Sequence, residues 1–188
     1  MPAPSDNAEA PLPINLVLIG FMGSGKSSIG RMLATKLGFH LLDTDALVVE
    51  DAGMQITEIF QWKGEEGFRD YEARALAYLV ERNAKGVVVA TGGGIVTRES
   101  NLPLLHQLGF VVGLTASEEV IFERVSRNKA RPLLHTPNPR ETVSELLARR
   151  APFYEAAADY AIDTSMKSHA QVADEIIAEA RRRYPNPL

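Results

Sequence analysis

Short apolar runs alternate with amphipathic stretches along almost the whole chain. Ile14 to Ile19 holds Leu16, Val17 and Leu18 and is broken by Gly20. Its largely apolar character predicts a short strand buried on both faces. From Lys26 to Leu37 the apolar positions Ile29, Met32, Leu33 and Leu37 fall on one helical face. Phe39 to Leu42 reads as a second strand that runs into Asp43-Thr44-Asp45. Ala46 to Asn83 has a helical pattern, interrupted around Gly53 and at Gly64 to Gly67. Val87 to Ala90 predicts a third strand, Leu102 to Leu108 a helix, and Phe110 to Leu114 a fourth strand. Val120 to Val125 and Glu141 to Tyr154 are helical, and Tyr160 to Asp163 is a fifth strand. A last helix over Ser168 to Arg183 is capped by Ser168. Strands alternating with helices imply right-handed crossovers. The expected fold is an α/β three-layer sandwich, a parallel sheet with helices on both faces and inserted lobes.

Composition narrows the class. At 188 residues, 45% of them hydrophobic, the chain suits one domain, taken as 14–188, with a real core. A formal charge of -4 argues against a basic nucleic-acid face. The absence of cysteine excludes disulfides, thiolate metal sites and thiol catalysis. No apolar run approaches the roughly 20 residues of a spanning helix. Residues 1–13, with Pro2, Pro4, Pro11 and Pro13, lack the features of a secretion signal and are expected to form a flexible tail. A cytoplasmic protein acting on small molecules as a monomer, without nucleic acid or membrane, is expected.

The chemistry begins at Gly20-Phe21-Met22-Gly23-Ser24-Gly25-Lys26-Ser27, which fits G-x-x-x-x-G-K-[ST] between a predicted strand and a predicted helix. The glycines let backbone N–H groups turn inward around a polyphosphate, and the following helix aims its positive end at the same charge. Lys26 is expected on the β- and γ-phosphates and the Ser27 hydroxyl on Mg²⁺. Gly23, Ser24, Gly25 and Ser28 complete the nucleotide cradle. No Asn-Lys-x-Asp guanine-reading stretch occurs, since Asn128-Lys129 is followed by Ala130-Arg131. A small kinase therefore fits better than a GTPase or a motor.

Asp43 and Asp45 close the second strand, where an extended backbone would aim both into the crevice at the strand's carboxyl end. One would serve the metal's water shell and the other a substrate hydroxyl. The alternative is that one of them caps the next helix. Thr91-Gly92-Gly93-Gly94 pays ordering entropy for three glycines, which implies a close approach to the backbone or unusual dihedrals, and favours a ligand surface. The segment 127–140, polar and carrying Pro132, Pro137 and Pro139, is expected to be a mobile lid. Arg69, Arg131, Arg149 and Arg150 each read as ordinary surface charges when taken singly.

Taken together, the phosphate loop, Asp43-Thr44-Asp45, Phe68-Arg69 with Glu72, Gly92-Gly93-Gly94, Arg131-Pro132-Leu133-Leu134 and Arg150-Ala151-Pro152-Phe153-Tyr154 resemble the shikimate kinase family in order and spacing, from about Ile14 to Ala180. The resemblance implies a five-stranded P-loop kinase fold with a substrate-binding lobe at about 46–83 and the lid at 127–140. It implies transfer of the ATP γ-phosphoryl group to the 3-hydroxyl of shikimate, a step of aromatic amino-acid biosynthesis. By the same resemblance Asp45 addresses the acceptor hydroxyl, and Arg69 and Arg150 clasp the shikimate carboxylate. Gly93 adds backbone contacts, Asp43 touches the Mg²⁺ shell and Arg131 reaches the ATP phosphates. Lys167 is expected on the adenine side, with Arg127 a second choice there. Helical spacing alone does not choose between Arg149 and Arg150; the resemblance selects Arg150. A gluconate-type kinase would also need arginines, but the triple glycine and Arg131-Pro132-Leu133-Leu134 argue against it. A nucleotide switch without catalysis would not need Lys26, Ser27, Asp43, Asp45 and Arg131 together.

Overall fold

The computed structural model describes residues 12–127 and 137–185. Among them, five strands form one parallel sheet in the order β2-β3-β1-β4-β5. The strands are β1 Leu16–Gly20, β2 His40–Asp43, β3 Val87–Ala90, β4 Phe110–Thr115 and β5 Tyr160–Asp163. The helices are α1 Lys26–Leu37, α2 Thr44–Ala52, α3 Ile56–Glu81, α4 Leu102–Leu108, α5 Glu118–Ser126, α6 Pro139–Ala157 and α7 His169–Arg183. The chain leaves β1 toward one edge and returns to the other side from β3, so the sheet reverses its winding beside β1. In such sheets ligands bind off the carboxyl ends at that reversal. β1 sits in the middle, with Leu16 opposite both Val88 and Phe110.

Period-two alternation sorts each strand between two cores. Leu16 and Leu18 of β1, Val88 of β3 and Phe110 and Val112 of β4 face α1 and α7, where Ile29, Leu33, Val172 and Ile176 meet them. Val17, Ile19, Val89 and Val111 face the other way, toward Leu76, Leu105, Ile121 and Val143 of α3 to α6. Each fully buried side chain of this size contributes about 1.5–3 kcal/mol by leaving water. A separate small core of Val48, Ile59, Phe68, Tyr71 and Ala75 joins α2 to α3. α3 is broken at Gly64, whose φ of 68° and ψ of -172° only glycine adopts readily, so the predicted interruption is a kink within one element. Among the described residues no helix is long and apolar enough to cross a membrane.

Two boundaries differ from those expected. The expected tail lies outside the described residues up to position 11, but Leu12 is buried against the α1 and α7 face, so packing starts ahead of Ile14. The expected lid lies outside the described residues over 128–136. Its end does not stay irregular: Pro139 and Arg140 already form the first turn of α6, where a proline costs no helical hydrogen bond.

One buried polar residue stitches the base of the sheet. Asn15 donates to the Ala84 carbonyl at 2.7 Å and the Leu108 carbonyl at 2.8 Å, and accepts from the Val87 N–H at 3.2 Å. Its partners lie in the turn before β3, at the first residue of β3 and at the end of α4, so one side chain ties three backbone groups together. Asn15→Ala is expected to cost about 3 kcal/mol, the upper end for stranding buried polar groups. Urea unfolding would measure this, and a loss below about 1 kcal/mol would contradict the role.

Candidate active site

The phosphate loop joins β1 to α1. Gly25, at φ 103°, is the N-cap and offers no side chain to the helix, so the first-turn N–H groups of α1 keep their donor capacity for a ligand. Lys26 folds back over the loop, donating from Nζ to the carbonyls of Gly20 at 2.6 Å and Phe21 at 2.9 Å. The loop is thus held in its curved shape before any phosphate arrives. Arg124 of α5 fixes it from outside: Nη1 donates to the Gly23 carbonyl at 3.2 Å and to Thr164 Oγ1 at 3.0 Å, and Nη2 to the Thr164 carbonyl at 2.9 Å. That guanidinium links the loop, α5 and the turn after β5.

A cavity of about 570 Å³ opens above the loop, bordered by Lys26, Ser27 and Ser28, by Asp43 and Asp45, and by Gly93. Gly23 and Gly25 also line it, as do Arg124, Arg127 and His169. Asp43 and Asp45 reach it differently from the expected extended pair. Asp43 ends β2 and is the N-cap of α2, with Oδ1 accepting the Asp45 N–H at 2.9 Å, so Asp45 lies in the first helical turn. The capping alternative holds for Asp43. Both still border one cavity, because a cap and the N2 position project from the same end of the helix.

Behind Asp45 lies a second cluster, built on α3 and α6. Arg69, 7% exposed, donates to Glu72 Oε2 at 2.5 Å and to Glu65 Oε1 at 2.8 Å. Burial pushes the Glu72 carboxyl up, Arg69 pulls against that, and the charge of Asp45 adds to the push. Burial works against the Arg69 charge as well, but Glu72 and Glu65 more than offset it and raise the guanidinium's proton affinity. Arg150 approaches from α6 over the ring of Phe21, and Arg149 beside it is exposed. The Tyr154 hydroxyl donates to the Gly93 carbonyl. Burial pushes that phenol up to about 12, against the pull of Arg150, so it remains a donor at neutral pH.

The triple glycine serves this cluster through space rather than dihedrals, since none of Gly92, Gly93 and Gly94 has positive φ. A Cβ on Gly92 would lie 2.5 Å from Glu72 Oε1 and 2.6 Å from Asp45 Oδ1, and one on Gly94 would fall inside the Arg69 guanidinium. What approaches the backbone so closely is the protein's own charged side chains. Gly93 lies nearest the phosphate loop, 3.4 Å from the Met22 nitrogen by the same measure.

The remaining expected residues are distributed as follows. Ser24 is buried behind the loop, away from the cavity surface. Lys167 pairs with Glu175 at 2.5 Å and is not among the cavity's lining residues. Arg127 lines the cavity while pairing with Glu123. Arg131 lies outside the described residues. Sequence reasoning missed Arg124, Thr164 and Glu65, and it placed Tyr154 in the Arg150 motif without giving it a role. Arg124 follows the apolar pair Ile121 and Phe122 like any solvent-facing helix charge, and no local pattern sets it apart.

A phosphate loop at the reversal of a parallel sheet, two aspartates across from it and an arginine cluster beyond them define a P-loop kinase that acts on a small acceptor. The shikimate kinase family model matches residues 22–181, and the chain belongs to that family. It is 46% identical over 168 residues to the shikimate kinase of Thermodesulfovibrio yellowstonii, covering 89% of this chain and 95% of that one. It is 45% identical over 181 residues to that of Geobacter sulfurreducens, covering 96% and 95%. Among solved structures, the shikimate kinase from Acinetobacter baumannii in complex with shikimate has a TM-score of 0.85 at 38% identity, covering 93% of this chain and 96% of that one. A gluconokinase from Sinorhizobium meliloti shares the fold at a TM-score of 0.60 with 24% identity. Family membership makes this chain an enzyme, a kinase with ATP as co-substrate.

Arg124→Ala removes a charged donor that braces the phosphate loop. Nucleotide affinity measured by calorimetry should fall roughly ten-fold or more, as loss of charged hydrogen bonds implies. Unchanged affinity in a folded variant would remove Arg124 from the site.

Proposed function

We propose that the enzyme transfers the γ-phosphoryl group of ATP to the 3-hydroxyl of shikimate, giving shikimate 3-phosphate and ADP, a step of aromatic amino-acid biosynthesis. The observation that carries this reading is the convergence of the phosphate loop, Asp45 and the Arg69 cluster around the carboxyl ends of β1, β2 and β3. Shikimate is a polyol carboxylate, so its recognition calls for arginines on the carboxylate and an acceptor for the hydroxyls. Arg69 and Arg150 take the carboxylate, and Gly93 supplies backbone contact. Asp45 orients the 3-hydroxyl and accepts its proton as the oxygen bonds to Pγ. The bond from Pγ to the β–γ bridging oxygen breaks, and ADP leaves with the electron pair.

Gly23, Gly25, Ser28 and the N–H groups of α1 cradle the phosphates, with Ser24 supporting the loop from behind. Lys26 exchanges its loop carbonyls for phosphate oxygens. The donors suit Mg²⁺: the Ser27 hydroxyl and the Asp43 carboxylate border the phosphate cavity, and among the described residues no group of three or more His, Asp or Glu could hold a metal. That pattern fits an ion that keeps waters and takes phosphate oxygens rather than an all-protein cage. When bound, it neutralises charge between the β- and γ-phosphates. Arg131 adds positive charge as the phosphoryl group moves. On the adenine side the reading favours Arg124 and His169, which line the cavity, over Lys167, which Glu175 holds. Closure of the substrate lobe at 46–83 over this crevice excludes water. The same reading keeps the reaction in the cytoplasm, in a monomer acting on small molecules.

A coupled ADP-release assay tests the reading: turnover should depend on shikimate and be absent with gluconate. Lys26→Ala should remove most of it, a loss of several kcal/mol of transition-state stabilisation. Asp45→Asn should lower kcat far more than ATP affinity; collapse of ATP binding instead would move Asp45 to the metal side. Arg150→Ala should weaken shikimate use by roughly 2–5 kcal/mol, while exposed Arg149→Ala should keep near-normal KM. The reverse pattern would shift the carboxylate site by one residue.

A further inference from the structure

The arginine that the substrate reading assigns to the shikimate carboxylate already holds carboxylates. Both terminal nitrogens of Arg69 are engaged, one by Glu72 and one by Glu65. Its Nε is buried with no hydrogen-bond partner among the described residues, and so is Nε of Arg150. The two carboxylates on Arg69 are not equivalent. The Glu72 side chain is 0% exposed, so leaving the pair would strand a buried charge, whereas the Glu65 side chain is 61% exposed and can turn into water. Glu65 also follows directly on Gly64, where α3 is kinked, so its turn hangs from a glycine rather than from an unbroken helix.

Glu65 holds a terminal nitrogen of Arg69 that a substrate carboxylate would also need. The positive charges that hold its carboxyl below the usual range are Arg69 first, by hydrogen bond, then Arg150 and Arg149. Glu72 and, beside it, Asp45 already face the two arginines, and Glu65 is the carboxylate on Arg69 that can turn away into water. We propose that Glu65 is an internal stand-in for the substrate carboxylate: it pairs with Arg69 in the empty enzyme and is displaced when an anionic substrate binds. This inference rests on the reading of Arg69 and Arg150 as the carboxylate site. It makes substrate capture an exchange of one carboxylate for another, and it lets the site discriminate, since a neutral analogue gains nothing by displacing Glu65.

Calorimetric titration of wild type and Glu65→Gln with shikimate and with its neutral carboxamide tests the exchange. Removing the competitor should tighten shikimate about two- to five-fold, the range set by a partly exposed ion pair, and should leave the carboxamide affinity unchanged. Glu65→Ala should change shikimate affinity in the same direction, which guards against a peculiarity of glutamine. Shikimate bound equally or more weakly by both variants, at an unchanged thermal midpoint, would overturn the stand-in and make Glu65 a brace for Arg69. Equal tightening of shikimate and carboxamide would also overturn it, as general loosening of the lobe. Arg69→Ala and Arg150→Ala separate the two levels: if neither loses shikimate, the substrate reading itself fails. If both lose it and the Glu65 variants gain nothing, only the stand-in fails.

Discussion

The ion pair between Arg69 and Glu72 is nearly closed to water and decides the geometry of the acceptor half of the crevice. Two charges out of solvent are tolerable only when they satisfy each other, and removing either would cost about 3–5 kcal/mol. The pair needs room, and Gly92 and Gly94 provide it by having no side chain. It also needs a fixed base, which the packed face of α3 supplies through Leu76 and Leu79 in the larger core. Asp45 then stands beside Glu72, close enough for its charge to raise the glutamate's proton affinity. Helix, glycine turn and aspartate are therefore not independent choices. Each is set by where one guanidinium lies.

Two tethers carry that order to the nucleotide half. Arg124 joins the phosphate loop to the turn after β5, and Tyr154 joins α6 to the turn after β3. Both cross between elements far apart in sequence and end on backbone carbonyls, Arg124 with a further bond to the Thr164 hydroxyl. Such bonds fix position without depending on the partner's side chain. The loop and the acceptor site are thereby referred to the same sheet, and in-line transfer depends above all on that alignment.

Much of this was legible along the chain, for identifiable reasons. Apolar periodicity gave α1, β3, α4 and β5 at their observed limits, because each is bounded by Gly, Pro or polar turns and buries an unbroken face. The phosphate loop was legible because its chemistry is local. Only the placement of Asp45 differs, since strand alternation does not extend past Asp43, which is already a helix cap. Three glycines in a row point to close approach or unusual dihedrals and favour a ligand surface; close approach holds, but at Gly92 and Gly94 the approaching groups are Arg69, Glu72 and Asp45, far apart in sequence. Arg124 left no local signature and Tyr154 stood in its motif without a role, because their importance comes from partners 40 to 101 positions away.

The phenol of Tyr154 gives the crevice an optical handle. The chain has five tyrosines, and the surroundings of three of them, Tyr71, Tyr154 and Tyr160, move the phenol in opposite directions. Tyr71, beside Lys63 and Arg74, sheds its proton early. Tyr154 is pushed to about 12 by burial, and Tyr160 to about 12 by burial and by Glu175. Phenolate absorbance near the top of the alkaline range therefore includes the one ring that bridges α6 to the glycine turn. The part of that absorbance which Tyr154→Phe removes reports the docking of that helix without any label having been added.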